Sequence, residues 1–187
     1  MEYIKEYNKL DIDPFNEEDW NELETDGTFL IWLKNKYPDK SKWKDIESIN
    51  CYSQKLTDLI GIEKLINLKI LFCNFNKISK LDITKNINLK ELYCNHNQLR
   101  ELDTSKNLKY LYCDHNQLTE LDLTKNIKLI HLHCHYNQLR ELNINKNVNL
   151  IELYCYDNIL TKLDVTKNVN LINSFWNKYP WTSGFII

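Results

Sequence analysis

Residues 89–107 read LKELYCNHNQLRELDTSKN, and residues 108–126 repeat the frame as LKYLYCDHNQLTELDLTKN. The same frame returns at 68–86 (LKILFCNFNKISKLDITKN), 129–147 (LIHLHCHYNQLRELNINKN) and 150–168 (LIELYCYDNILTKLDVTKN). Every cysteine of the chain, Cys51, Cys73, Cys94, Cys113, Cys134 and Cys155, falls at its sixth position, with Trp176 at the next turn. A unit recurring about every 21 residues cannot bury its own leucines. It must stack on its neighbours, so the repeat dictates a solenoid whose core is one long apolar stripe.

The units start at Ile46, Leu68, Leu89, Leu108, Leu129, Leu150 and Leu171, which predicts seven coils, the third two residues short because Asn107 runs directly into Leu108. First, fourth and sixth positions, as in Leu89, Leu92 and Cys94, are expected inward from a short strand. The eleventh and fourteenth, Leu99 and Leu102, close the core behind. Parallel strands stacked at ~4.8 Å per coil would span roughly 30 Å. At the ninth position Asn76, Asn97, Asn116, Asn137 and Asn158 are placed to satisfy backbone groups where the chain leaves the strand. Asp82, Asp103, Asp122 and Asp164, each followed two residues on by Thr or Ser, suit turn capping and are not catalytic acids. The expected fold class is an α/β repeat solenoid: a leucine-rich repeat with seven short parallel strands on the concave face, a helical N-terminal cap and little helix on the convex side.

Three parts are expected: a cap over residues 1–45, repeats over 46–173, and a degenerate last repeat with a C-terminal cap over 174–187. Residues 1–26 carry ten acids against Lys5 and Lys9, a local charge of −8 within a chain of net charge −2. Asn16-Glu-Glu-Asp19 resembles a helix start over about 17–24. Thr28 is placed to cap a second helix with Phe29, Leu30, Trp32 and Leu33 on its apolar face, stopped before Pro38. The acidic segment caps the solenoid, or also engages a basic partner. After Trp176 the frame decays into NKYPWTSGFII, where Phe175, Trp176, Trp181 and Phe185 are expected to seal the end. The start MEYIKEYNKLDIDPF has no basic region followed by an apolar run, and no stretch is long and apolar enough to span a membrane; a cytoplasmic location with reduced thiols is expected. The thiols then serve as small apolar residues, and none has the CxxC spacing of a zinc site.

Written LxxLxCxxNxLxxLDxTKN, the repeat closely resembles the cysteine-ladder leucine-rich repeats of bacterial internalin-type proteins, with internalin J-like repeats over about residues 46–173. That resemblance implies a protein-binding solenoid. Internalins are secreted and anchored at the cell surface, whereas this sequence shows neither a signal peptide nor a sorting motif, so surface adhesion is not expected.

Side chains on a strand alternate, so positions three, five and seven should project from the concave side. Position five reads Asn50, Phe72, Tyr93, Tyr112, His133, Tyr154, Phe175, an aromatic row. Position three adds Glu91, Tyr110, His131 and Glu152; position seven adds Tyr52, Asp114, His135 and Tyr156; position eight adds Phe75, His96, His115, Tyr136 and Asp157. All five histidines and seven of the eleven tyrosines share this surface. Aligned aromatics exposed on a rigid sheet are typical of binding hot spots. The predicted partner-binding residues are therefore Phe72, Glu91, Tyr93, His96, Tyr110, Tyr112, Asp114, His115, His131, His133, His135, Tyr136, Glu152, Tyr154, Tyr156, Asp157 and Phe175. Acids outnumber bases there, with Lys178 the one cation in these columns, which favours a protein partner of neutral to basic surface and argues against nucleic acid. Histidines with an ordinary pKa of ~6.5 would then weaken binding as they protonate below neutral pH.

Two other chemistries remain open. His131, His133 and His135, with His115 and Asp114 one coil away, could share a metal, although a flat row does not converge by itself. Lys85, Lys106, Lys125, Lys146 and Lys167 recur at coil spacing and could follow phosphates. No nucleophile paired with a base, phosphate loop or convergent carboxylate pair is present, so no enzyme, cofactor or resident metal is expected. The expected role is an intracellular inhibitor or adaptor, concretely a bacterial or phage blocker of a defence nuclease or toxin. Self-association through two concave faces is a further option.

Overall fold

The computed structural model describes residues 28–175. The predicted helix at 17–24, the acidic segment, Trp176, Trp181 and Phe185 lie outside them. The repeat frame becomes strands of three residues: β1 (Ser48–Asn50), β2 (Ile70–Phe72), β4 (Glu91–Tyr93), β6 (Tyr110–Tyr112), β7 (His131–His133), β8 (Glu152–Tyr154) and β9 (Asn173–Phe175). They form one seven-stranded parallel sheet in chain order. Register is held one coil apart, pairing Leu71 with Leu92, Leu92 with Leu111, and Leu111 with Leu132. The short third coil keeps this register, so its two missing residues are taken out of the turn segment behind the sheet.

Burial follows the frame. Leu71, Leu92, Leu111, Leu132 and Leu153 have no exposed surface, and neither do the six cysteines. The thiols are free, and burial pushes them up, Cys155 to about 12, so the thiolate is absent at neutral pH. The ladder continues through them, since the Cys94 N–H donates to Tyr112 O at 2.9 Å and the Cys113 N–H to His133 O at 2.8 Å.

Two asparagine ladders satisfy the backbone where it turns. Asn116 donates through Nδ2 to the carbonyls of Cys94 and Cys113 at 3.0 and 3.1 Å, and its Oδ1 accepts the Leu99 N–H at 2.9 Å. Asn97, Asn137 and Asn158 repeat the pattern. A second column, Asn86, Asn126, Asn147 and Asn168, is fully or almost fully buried. Asn147, for example, donates to the carbonyls of Leu123 and Asn126 at 3.1 and 2.8 Å. The short coil interrupts this column, and Ser105 is buried there.

The convex side is mostly turn. One two-stranded parallel sheet joins β3 (Lys80–Asp82) to β5 (Glu101–Asp103). Asp82, Asp122 and Asp164 each accept the N–H two residues ahead at 2.9 Å, the turn capping expected from the Asp-x-Thr spacing. Helix α1 (Phe29–Lys36) covers the first coil with Phe29, Trp32 and Leu33 buried, and a 3-10 turn over Lys40–Asp45 adds Trp43. Thr28 precedes α1 but makes no side-chain cap bond. The helix closes on Gly61, whose φ of 103° favours glycine and where a Cβ would meet Leu30 Cδ1 at 3.1 Å. Among the described residues no helix is long and apolar enough to cross a membrane.

Candidate functional site

Strand spacing in a parallel sheet, ~4.8 Å, is close to the distance at which aromatic rings stack. The fifth-position row uses this match. Phe72 and Tyr93 stack with centroids 4.5 Å apart, and Tyr112 and His133 continue edge-on at 4.5 Å, followed by Tyr154 at 4.4 Å. Here the expectation of an exposed aromatic stripe is corrected: Phe72, Tyr93, Tyr112 and His133 keep 3%, 6%, 1% and 6% of their surface. Ile70 and Tyr110 pack against them, forming a second small core on the concave side. Tyr154 is half-buried. Phe175 lies on β9 in register with Tyr154.

Flanking this row, Glu91, Tyr110, His131 and Glu152 at position three are half-buried. Tyr93 donates its hydroxyl to Glu91 at 3.2 Å, and Tyr112 Oη meets His131 Nδ1 at 3.4 Å. His133 Nε2 lies 2.5 Å from Glu152 Oε1. This hydrogen bond holds the Glu152 carboxyl below its usual range.

The eighth position has a feature the sequence did not announce. Ser53, Phe75, His96, His115, Tyr136 and Asp157 all adopt positive φ, between 49° and 55° or just above, as in Phe75 at 57°. A left-handed residue breaks the alternation of the strand, so positions seven and eight stay on neighbouring ground. A second ring column results: Tyr52 to Phe75 at 5.2 Å, Phe75 to His96 at 4.2 Å, His96 to His115 at 4.1 Å and His115 to Tyr136 at 4.4 Å. Phe75 and Tyr136 are exposed at 44% and 40%; His96, His115, Tyr156 and Asp157 are half-buried.

Asp114 lies between the coils, 2% exposed, with His115 Nδ1 at 3.0 Å from Oδ2 and His135 Nε2 at 3.7 Å. Burial lowers His135 to about 4, with Asp114 pulling the other way, and burial also lowers His96. The expected protonation of this surface just below neutral pH therefore does not extend to His135. One ligating atom each from His96, Asp114 and His115 falls within 4.8 Å of the others, and these three are the one such group among the described residues. The row His131, His133 and His135 is not. Lys85, Lys106, Lys125, Lys146 and Lys167 are all exposed, as a solvated column would be.

The leucine-rich repeat family, in its two-copy form, matches residues 87–125. No curated protein matches the chain in sequence. Among solved structures, the functional domain of InlJ from Listeria monocytogenes, which includes a cysteine ladder, is similar at 34% identity and a TM-score of 0.67 over 70% of this chain and 30% of that one. A leucine-rich repeat protein of Leptospira interrogans is similar at 25% identity and a TM-score of 0.68, over 74% of this chain and 39% of that one. A Shigella effector leucine-rich repeat domain shares the fold at 22% identity and a TM-score of 0.64, over 78% of this chain and 64% of that one. The chain thus spans less than two thirds of each of these relatives. The fold is typical of protein-interaction modules, generally non-enzymatic. By its repeat, its strand register and its six buried thiols, the chain is a leucine-rich repeat solenoid with a cysteine ladder like that of InlJ.

Proposed function

We propose that the protein is a non-enzymatic binding module that docks the concave side of its sheet on a protein of neutral to basic surface. One observation carries this: among the described residues, positions three, five, seven and eight hold two columns of rings, four acids (Glu91, Asp114, Glu152, Asp157) and no lysine or arginine. The buried fifth-position row fixes the flanking side chains, so ordering them costs little on binding. Phe75, Tyr136, Tyr110 and His131 supply the accessible contact area.

An acidic, aromatic concave face suits a partner whose own groove is basic. An intracellular inhibitor or adaptor, such as a bacterial or phage blocker of a defence nuclease or toxin, is the concrete form of this reading. Capture from host lysate followed by quantitative binding tests it. Replacing Phe75 and Tyr136 by Ser should weaken the captured partner at least tenfold, because hot-spot truncations typically cost ~2 kcal/mol or more. Replacing Lys106, Lys125 and Lys146 by Ala should leave affinity nearly intact. If the lysine variant loses the partner, the ring variant keeps it and affinity falls steeply with salt, the lysine column is a phosphate-binding ridge and the proposal fails.

A further inference from the structure

The seventh and eighth columns bring a carboxylate and two imidazoles together at one place. Position seven is Asn74 and Asn95 in the two preceding coils and becomes Asp114; position eight is Phe75 before the cluster and Tyr136 after it, with His96 and His115 between. Asparagine at position 114 would have been nearly isosteric and neutral. A carboxylate 98% out of solvent instead carries a desolvation cost that a bound cation would offset.

We propose that His96, Asp114 and His115 bind one divalent transition-metal ion of the zinc class. Their ligating atoms already lie within 4.8 Å of one another. An ion bonded at ~2.0–2.2 Å to tetrahedral N and O donors draws them to roughly 3.3 Å apart, so the His96 and His115 rings must turn out of their 4.1 Å stack to complete the site. The backbone is already fixed: the His96 N–H donates to Asp114 O and the His115 N–H to His135 O, both at 3.1 Å. The two imidazoles are half-buried, while Asp114 is buried.

A second observation points to the same place. His135 is 93% buried, its Nδ1 has no hydrogen-bond partner, and its Nε2 reaches to 3.7 Å from the Asp114 oxygen that His115 contacts. It borders the three residues and lies outside the group whose ligating atoms fall within 4.8 Å of one another. Imidazole and carboxylate donors select zinc, copper or nickel over magnesium or calcium. The thiols are excluded, because all six lie in the core on the other side of the sheet.

The test is direct titration of tag-free, chelator-treated full-length protein with Zn2+ and Co2+, followed by calorimetry and visible absorption. One equivalent should bind, with Co2+ bands of nitrogen and oxygen donors and no thiolate charge-transfer band. Asp114→Asn, which restores the residue of the preceding coils, and His96→Ala should each weaken Zn2+ binding at least tenfold. His131→Ala, on the same side but outside the group, should not. Circular dichroism checks that each variant is folded. Absence of saturable binding, a thiolate spectrum, or affinity unchanged in both Asp114→Asn and His96→Ala would each overturn the site. The outcome does not depend on whether a protein partner exists.

Discussion

The rings of Tyr93 and Tyr112, on adjacent strands β4 and β6, lie 4.7 Å apart and 7° from parallel. This stacking is the strand spacing expressed in side chains, and it makes the fifth-position row part of the structure that holds the coils together. Tyr112→Ala should therefore destabilise the protein by about 3–5 kcal/mol, as large aromatic truncations in cores do. Urea unfolding measures it; a loss under about 1 kcal/mol would mean that the row contributes area without packing.

Asn116 links two successive coils through one amide, taking the Leu99 N–H and giving to the carbonyls of Cys94 and Cys113. Its replacement by Ala strands several buried backbone groups at once. A cost of about 2–4 kcal/mol is expected. Hydrogen exchange should show the Leu99 amide opening faster than its neighbours, and an unchanged Leu99 rate would count against the ladder.

Cys113 is fully buried, and burial raises its thiol well above the ordinary range. Cys113→Ser places a hydroxyl in an apolar stack and should cost about 1–3 kcal/mol. In native protein none of the six thiols should react with an aromatic disulfide reagent on the timescale of seconds, whereas all six should react after unfolding. Fast native labelling of Cys113 would remove it from the core.

His135 faces Asp114, His133, His115 and Asp157, and burial lowers it from 6.5 to about 4. Between those values the unfolded chain takes up a proton that the folded chain refuses. Stability contributed by this group is thus complete above about pH 6.5 and lost as pH falls toward 4. In chelator-containing buffer, His135→Asn should show a smaller drop in urea midpoint between about pH 7 and about pH 5 than the parent protein. Equal drops would show that His135 is open to solvent.

The sequence alone determined the coil. Leucines and cysteines at fixed offsets admit one inward direction, and asparagine at position nine can only serve a backbone that turns there. Strand positions, the ladder of thiols and the Asp-x-Thr turns all follow from that local chemistry. Asn86, Asn126 and Asn147 were equally periodic, and their column in the TKN segment was a readable signal. Other features depend on distances between coils, which no single unit encodes. Tyr112 is buried because neighbouring rings stack at the strand spacing, so alternation predicted its side of the sheet but not its exposure. His96 and His115 meet Asp114 because left-handed residues at position eight turn two successive coils toward one point. The sequence placed His115 and Asp114 one coil from His131, His133 and His135; the tertiary structure groups Asp114 and His115 with His96 of the preceding coil instead, since alternate side chains on one strand stand about 7 Å apart while stacked coils stand ~4.8 Å apart.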